Sequence, residues 1–252
     1  MSTRIAVVTP YYREPDEMLR TCLESVADQT VPCTHFAVAD GFPSQVVDAS
    51  RGDIQHIRLP KAHGDNGNTP RGVGTLVALA QSFDFIAYLD ADNWYWPTHI
   101  ESLLDLHAET GAPVLCSKRT FHRLDGSLME GVTEPAEDSH LHADTSCYLI
   151  HRSCDTSISI WSRMPRPLSP LCDRVFFHKL VHDRWAMAFS DERSVAFRSQ
   201  YVSHYRMANE EPPQGAKGDI FSEPMRYLRT EQGVAETVSV LGFYPRQSGF
   251  LV

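Results

Sequence analysis

The sequence holds no apolar run near the roughly 20 residues that a membrane-spanning helix needs. It holds no Cys-x-x-Cys pair. Cys22, Cys33, Cys116, Cys147, Cys154 and Cys172 stand apart, and free thiols in a reducing compartment are the expectation. Positive charge is also short. The formal net charge is −9, which argues against a phosphate-backbone binder, so no nucleic-acid partner is expected. No internal repeat and no low-complexity segment is present, which sets aside repeat architectures. Met1-Ser2-Thr3-Arg4-Ile5 enters a strand-like segment at once, so no signal peptide is expected. These absences point to a cytoplasmic protein, with contact at the inner face of a membrane left open.

What the chain does have is a regular first half. Its 252 residues suffice for one large α/β domain or two intimate halves. Ile5-Ala6-Val7-Val8 is a short β-branched run that stops at Thr9-Pro10, as a buried parallel strand would. A helix follows, with Pro15, Asp16 and Glu17 at its start and one apolar face at Leu19, Cys22, Leu23 and Val26. Phe36–Ala39, Ile54–Leu59 and Phe85–Leu89 read as further strands. Asn68-Thr69-Pro70 opens another helix, with Thr69 as cap, Pro70 at the first position, and Val73, Leu76, Val77 and Ala80 as its buried face. Ile100, Leu103, Leu104 and His107 mark a fourth, stopped by Gly111.

Strand and helix alternating at this spacing predict a mainly parallel, doubly wound sheet flanked by helices. Ligands bind such sheets beyond the carboxyl ends of the strands. Thr9-Pro10-Tyr11, Asp40-Gly41 and Asp90-Ala91-Asp92 are therefore expected to line one crevice.

The second half is less regular. Ser117–His142 reads as loops with a hairpin, Cys147–Ile150 and Val195–Phe197 as strands, and Leu171–Val181 as a helix. Asn209–Asp219 is polar and rich in Gly and Pro, which predicts a mobile loop or linker. The tail from Ile220, with Phe221, Tyr227, Leu241, Phe243 and Tyr244, is expected to dock on the domain or on a partner. The expected division is 1–112, a donor-binding half; 113–208, an acceptor-binding half of the same domain; and 209–252, the loop and tail.

Asp90 and Asp92 carry the sharpest chemical signal. Residues i and i+2 of an extended segment point to one side. Two carboxylates there repel unless a cation neutralises them. Oxygen ligands suit Mg²⁺ or Mn²⁺, which would bridge a diphosphate and take up charge as it departs. The plainer alternative is a solvated acidic loop. Asp40 can accept hydrogen bonds from a base or ribose, or form a turn with Gly41. Tyr11 and Tyr12 can stack on a base or pack as amphipathic aromatics. Gly67-Asn68-Thr69-Pro70-Arg71-Gly72 offers helix N–H groups and the Arg71 fork to phosphate, where the alternative is an ordinary capped helix. Trp94, Tyr95 and Trp96 divide between a hydrophobic plug and ligand contact.

Val7-Val8-Thr9-Pro10-Tyr11-Tyr12-Arg13, Val38-Ala39-Asp40-Gly41, Gly67-Asn68-Thr69-Pro70-Arg71 and Leu89-Asp90-Ala91-Asp92-Asn93 occur in that order. Together they resemble glycosyltransferase family 2, closely over roughly the first 110 residues and loosely beyond. The resemblance implies the GT-A fold, a Rossmann-like nucleotide-diphospho-sugar transferase architecture. It implies a nucleoside-diphosphate sugar donor, most often UDP-linked, and a glycan, lipid-linked or small-molecule acceptor. Thr9, Pro10, Tyr11 and Asp40 would hold the nucleoside. Asn68, Arg71, Asp90 and Ala91 would lie along the ribose and phosphates, and Asp92 would be the direct ligand to Mn²⁺ or Mg²⁺. Family members are usually inverting, and direct displacement needs a base for the acceptor hydroxyl. The family's base commonly opens a helix behind an acidic residue. Ser169-Pro170-Leu171-Cys172-Asp173-Arg174 matches in part, with Asp173 as the acid and Cys172 where the other acid would be. Asp173 at a helix start can also be a charge on the helix dipole, and Asp144 is the alternative base. His204 matches a histidine that completes the metal shell in similar enzymes. His140 and His142 could pair as ligands or lie in a loop near the acceptor.

Two other functions compete. A sugar nucleotidyltransferase would place a glycine-rich basic loop after the first strand, and Thr9–Pro15 has no glycine. A non-catalytic nucleotide-sugar binder would keep the same motifs without turnover. Composition leaves a homo-oligomer open.

Overall fold

The computed structural model of the chain describes residues 3–245. Among the described residues the strands are β1 Ile5–Tyr11, β2 Cys33–Ala39, β3 Asp53–Arg58, β4 Phe85–Tyr88, β5 Trp94–Tyr95, β6 Val114–Cys116, β7 Arg119–His122, β8 Tyr148–His151, β9 Met187–Phe189 and β10 Val195–Arg198. Between and after them run helices α1 Asp16–Ala27, α2 Gln45–Ala49, α3 Asn68–Ala80, α4 His99–Thr110, α5 Pro135–Asp138, α6 Asp155–Ile158, α7 Cys172–His182, α8 Val202–Met207, α9 Ser222–Leu228 and α10 Glu231–Leu241.

Seven strands form the central sheet in the order β3-β2-β1-β4-β8-β6-β9. All of its pairings are parallel except those of β8, which runs antiparallel to β4 and β6. β5, β10 and β7 form a second, smaller sheet. All seven residues of β1 are buried, as a strand covered on both faces requires. β1 does not stop at Thr9-Pro10 but continues to Tyr11. β4 pairs with β1 only as far as Val8, so Pro10 lies where β1 has β2 alone as a neighbour and its missing N–H breaks no ladder to β4.

α1 buries Leu19, Cys22, Leu23 and Val26, the face its periodicity predicts. α3 does not bury the predicted face. Leu76 is 49% exposed, and the buried stripe is Asn68, Arg71, Gly72, Thr75 and Ala78, with Gly74 beside it. The stripe is made of small and polar residues because the helix backbone itself lies against its neighbours. A Cβ on Gly72 would stand 2.7 Å from Ser162, and one on Gly74 would stand 2.5 Å from Val8 Cγ1. Thr69 is not the cap either. It lies inside α3, and Asp65 accepts its N–H at 2.9 Å and its hydroxyl at 2.6 Å.

β7 turns back at Asp125-Gly126, where Arg123 N–H donates to the Ser127 carbonyl at 2.8 Å. α9 and α10 fold onto the domain, and Met225, Leu228, Leu241 and Phe243 join the main hydrophobic core. The six cysteines are free thiols. Among the described residues no helix is long and apolar enough to cross a membrane.

Two histidines sit deep in this core. His35 on β2 bonds Thr9 Oγ1 at 2.7 Å, and His99 at the start of α4 bonds Ser194 Oγ at 2.8 Å and stacks on Tyr95. Burial pushes each imidazole down to about 3. Below the ordinary value of about 6.5 the unfolded chain takes up protons that the folded chain refuses. Stability is therefore complete above pH 6.5 and declines as pH falls towards 3, by about 1.4 kcal/mol per pH unit for each histidine. Urea titrations at pH 7, 6 and 5 should show His35→Gln removing about one proton from this dependence. Gly74→Ala should cost about 1–3 kcal/mol in the same assay at pH 7, because Val8 is branched and cannot swing aside.

Candidate donor and acceptor site

The carboxyl ends of β1, β2 and β4 open into one cavity of about 570 Å³. The register explains the convergence. Tyr11 pairs with Ala39 and Val8 with Tyr88, so Asp40 and Asp90 leave the sheet beside the end of β1. Pro10, Tyr11, Asp40, Asp90, Ala91 and Asp92 line the cavity. Thr9 does not. It is still inside β1, fully buried and bonded to His35.

The cavity wall at the ends of β1 and β2 is braced from behind. The Tyr11 hydroxyl accepts the Ser44 N–H at 2.9 Å and meets His56 Nε2 at 2.6 Å, while His56 Nδ1 meets Asp48 at 2.7 Å. Asp40 is 4% exposed, and its carboxylate accepts the N–H groups of His63 and Gly64 and meets His63 Nδ1 at 2.6 Å. Asp40 therefore fixes the 63–64 loop as part of the cavity wall.

α3 does not offer free N–H groups to an anion, as its sequence suggests. Asp65 already accepts from Thr69, and the Asp65 carbonyl accepts from Asn68. What α3 does supply is Arg71, which lines the cavity although only 2% exposed. Its Nη2 meets Asp90 Oδ1 at 2.6 Å, its Nη1 donates to Asn68 Oδ1 at 3.2 Å, and its guanidinium lies 4.8 Å over Trp161. Asn68 is buried behind Arg71 and also donates to Ser169. It supports the arginine and does not reach the cavity.

The two acids of the Asp90-Ala91-Asp92 segment are thus unequal. Asp90 is neutralised by Arg71. Among the described residues Asp92 makes no ion pair: the Gln200 amide donates to it at 3.3 Å, and the Lys217 charge acts on it from beyond ion-pair distance. Burial, and then the charges of Asp90 and Glu14, push its carboxyl up to about 7. The segment is pinned from the second half of the chain. Ser146 Oγ accepts from Asp90 N–H, Arg198 Nη1 donates to the Asp92 carbonyl at 2.8 Å, and Asn93 Oδ1 accepts the Arg198 N–H. Sequence reasoning missed Arg198 and Gln200. The same strand-end rule, applied to the Val195–Phe197 run, points to them.

Trp94, Tyr95 and Trp96 do not line the cavity. Tyr95 is the buried plug, its hydroxyl donating to the Tyr88 carbonyl at 2.5 Å, and Trp94 packs under Arg198 and against His122. The expected ligand contact from one of the three is therefore absent. The β5 pairing with β10 turns this segment to the second sheet.

α7 brings Asp173 to the cavity from the other half of the chain. Its Oδ1 accepts the Arg174 N–H at 2.7 Å, and its Oδ2 stands 3.2 Å from His142 Nε2. Asp144 also lines the cavity, but Arg119 holds it at 3.0 Å and Ser146 N–H donates to it at 2.9 Å. His140 and His142 diverge. His140 stacks on Phe189, while His142 is buried against Asp173.

His204 lines the same cavity as Asp92. Its Nδ1 meets Ser199 Oγ at 2.8 Å, and its Nε2 lies 3.8 Å from Glu134. Among the described residues no group of three or more His, Cys, Asp or Glu side chains could hold a metal by itself. One unneutralised carboxylate still fits Mg²⁺ or Mn²⁺, which commonly take one or two protein carboxylates and fill the rest of the shell with water and substrate phosphates.

The Glycosyl transferase family 2 model matches residues 6–165, which span the three strand ends, α3 and the Asp90–Asp92 segment. The chain belongs to this family. Among curated proteins it is similar to YibD of Escherichia coli K12, an uncharacterized glycosyltransferase, at 27% identity over 136 residues, which is 52% of this chain and 38% of YibD. It is also similar to the succinoglycan biosynthesis protein ExoW of Rhizobium meliloti, at 32% identity over 105 residues, 38% of this chain and 32% of ExoW. The aligned segments thus span less than two fifths of either relative. Among solved structures, S. aureus TarS 1-349 superposes with a TM-score of 0.63 at 15% identity over 94% of this chain and 72% of that one. Its complex with UDP-GlcNAc gives a TM-score of 0.62 at 14% identity over 94% and 73%. The shared fold is the GT-A fold of the family.

Asp90→Ala would leave Arg71 buried without a carboxylate. A loss of about 3 kcal/mol is expected, the low end for a broken buried pair because Asp90 is a third open. Arg71→Met should lose less, since it removes the buried charge and keeps the packing on Trp161. Urea denaturation of both variants checks this order.

Proposed function

We propose that this chain moves a sugar from a UDP-linked donor to a hydroxyl acceptor, by inverting displacement supported by a divalent cation. The observation that carries the reading is the unequal pair in one cavity: Asp90 already neutralised by Arg71, and Asp92 with no ion-pair partner among the described residues. Family membership and the UDP-GlcNAc complex of TarS support a nucleoside-diphosphate sugar as the donor. Membership in family 2 also sets aside the nucleotidyltransferase alternative.

Asp92 would hold Mn²⁺ or Mg²⁺ together with the donor diphosphate. His204 would join that shell only by turning its Nε2 from Glu134. The cation, when bound, neutralises charge on the departing diphosphate. Tyr11 and Asp40 shape the wall for the nucleoside, and Arg71 faces the phosphates. Asp173 accepts the proton of the attacking hydroxyl, a role that Asp144 cannot fill while Arg119 holds it. The acceptor is a hydroxyl of a glycan, a lipid-linked sugar or a small molecule. The 113–208 segment would receive it, with 1–112 holding the donor.

A thermal-shift series with UDP, UDP-glucose and UDP-GlcNAc, each with and without Mn²⁺, tests the reading. A ligand at one hundred times its Kd should add about 2.7 kcal/mol of stability, about 2–4 °C for each kcal/mol in a domain of this size. The shift should need Mn²⁺ and vanish in Asp92→Ala. Asp173→Asn should keep the shift and lose about 10²–10⁴-fold in turnover. Full, chelator-insensitive transfer by Asp92→Ala would overturn the cation. Binding without turnover in the parent protein would favour a non-catalytic donor binder.

A further inference from the structure

Asp173 and His142 form a pair that neither donor binding nor the cation uses. The Asp173 carboxylate is fixed at both oxygens, Oδ1 by the Arg174 N–H at 2.7 Å and Oδ2 by His142 Nε2 at 3.2 Å. The His142 side chain is 4% exposed, whereas that of Asp173 is 26% exposed and opens to the cavity. His142 lines the same cavity wall beside the acid, but its side chain is nearly buried there. Its Nδ1 is buried and has no hydrogen-bond partner among the described residues. No other hydrogen bond competes for the ring, so Asp173 itself keeps a proton on Nε2.

We propose that His142 is the positioning residue for Asp173, holding the carboxylate ionised and aimed into the cavity so that it can take the acceptor's proton. The proposal rests on Asp173 as the base. In the reaction the acceptor oxygen bonds to the sugar's anomeric carbon, the bond from that carbon to the diphosphate breaks, and the hydroxyl proton passes to Asp173. His142 keeps its Nε2–H throughout, and that hydrogen bond orients the carboxylate before the proton arrives.

The surroundings support this division of work. Burial alone would raise the Asp173 carboxyl. The charge and hydrogen bond of His142, followed by Arg174, outweigh burial and hold it well below the usual carboxylate range. The charged groups around the pair are Asp173 and Arg174 of α7, Glu134 before α5, Arg119 of β7, Asp144 before β8, and His204 of α8. Arg119 is committed to Glu137 and Asp144, and Glu134 faces Arg174 and His204. Among the described residues His142 is the side chain within ion-pair distance of Asp173.

The test measures release of UDP from UDP-GlcNAc and UDP-glucose in Mn²⁺, with water as the acceptor, from pH 5 to 9. His142→Phe should lower kcat 10- to 100-fold, leave the donor KM within twofold, and bring into this pH range an acid limb that the parent lacks, because burial then raises the Asp173 carboxyl unopposed by His142. His142→Gln keeps an N–H donor and should recover at least tenfold of the loss. An unchanged kcat and pH profile in both variants, with Asp173→Asn inactive, would overturn the positioning role while leaving the base in place. Full turnover by Asp173→Asn would overturn the base reading and this proposal with it. If His142→Phe does not fold, the Gln variant decides: an acid limb entering the pH 5–9 range supports the proposal, and a profile identical to the parent's across that range overturns it.

Discussion

Arg71 is a full charge at 2% exposure, and the carboxylate that meets it is Asp90, at 2.6 Å. Taking a guanidinium out of water is costly unless a partner meets it with good geometry. Here that partner is the first residue of the loop beyond β4 that faces the cavity, and the arginine stands in the first turn of α3. The pair therefore ties the helix start to the strand end. Several features of α3 serve this contact. Gly67 turns into α3 at φ +76°, with Pro10 close against its α-carbon. Gly72 and Gly74 let the helix lie directly on Ser162 and Val8. Asn68 takes a second proton of the guanidinium and is itself held by Ser169. A larger stripe on α3 would lift Arg71 away from Asp90 and leave both charges unpaired.

Neutralising Asp90 also sets the state of Asp92. Two free carboxylates two residues apart would repel each other, and the loop would turn one of them to solvent. With Asp90 paired, the loop keeps both acids on the cavity wall, and Arg198, Gln200 and Ser146 fix its backbone and side chains from the second half of the chain. The second sheet matters for this reason. β10 carries Arg198 at its carboxyl end and lies between β5, which follows the acids directly, and β7, which carries Arg119. One small sheet thus holds the loop beyond β4 and, through Arg119, the neighbourhood of Asp144.

The parts legible in the sequence are those whose signal is local. Strands buried on both faces read as short apolar runs, and β1, β2 and β4 each carry one, with their ends marking the cavity. α1 shows its buried face because that face is apolar. α3 hides its own because a glycine face has no hydrophobicity to read, so Leu76 was placed inside although it lies outside. Thr9 reads as lying past the strand end because Pro10 looks like a stop, whereas β1 needs only one neighbour at that point and runs on to Tyr11. His142, Glu134 and Arg198 carry no local motif. They matter through partners far along the chain, and only the crossing of β8 between β4 and β6 and the second sheet bring those partners together.

The cavity holds two aspartates in opposite states. Asp92 is pushed towards neutrality by burial and by acidic neighbours, whereas Asp173 is held charged by His142 and Arg174. Pairs of acids driven apart in this way separate into different roles. A carboxylate that is uncomfortable with its charge gains most from a cation, so Asp92 is the acid that a metal-bound diphosphate would stabilise. A carboxylate already stabilised by fixed donors gains little from a cation. It stays ionised without one, with a lone pair ready for a proton. On the proposed reading, two copies of the same side chain on different elements would divide donor binding from proton removal, and the division would be set by what stands beside each: two further acids near Asp92, a nearly buried imidazole against Asp173.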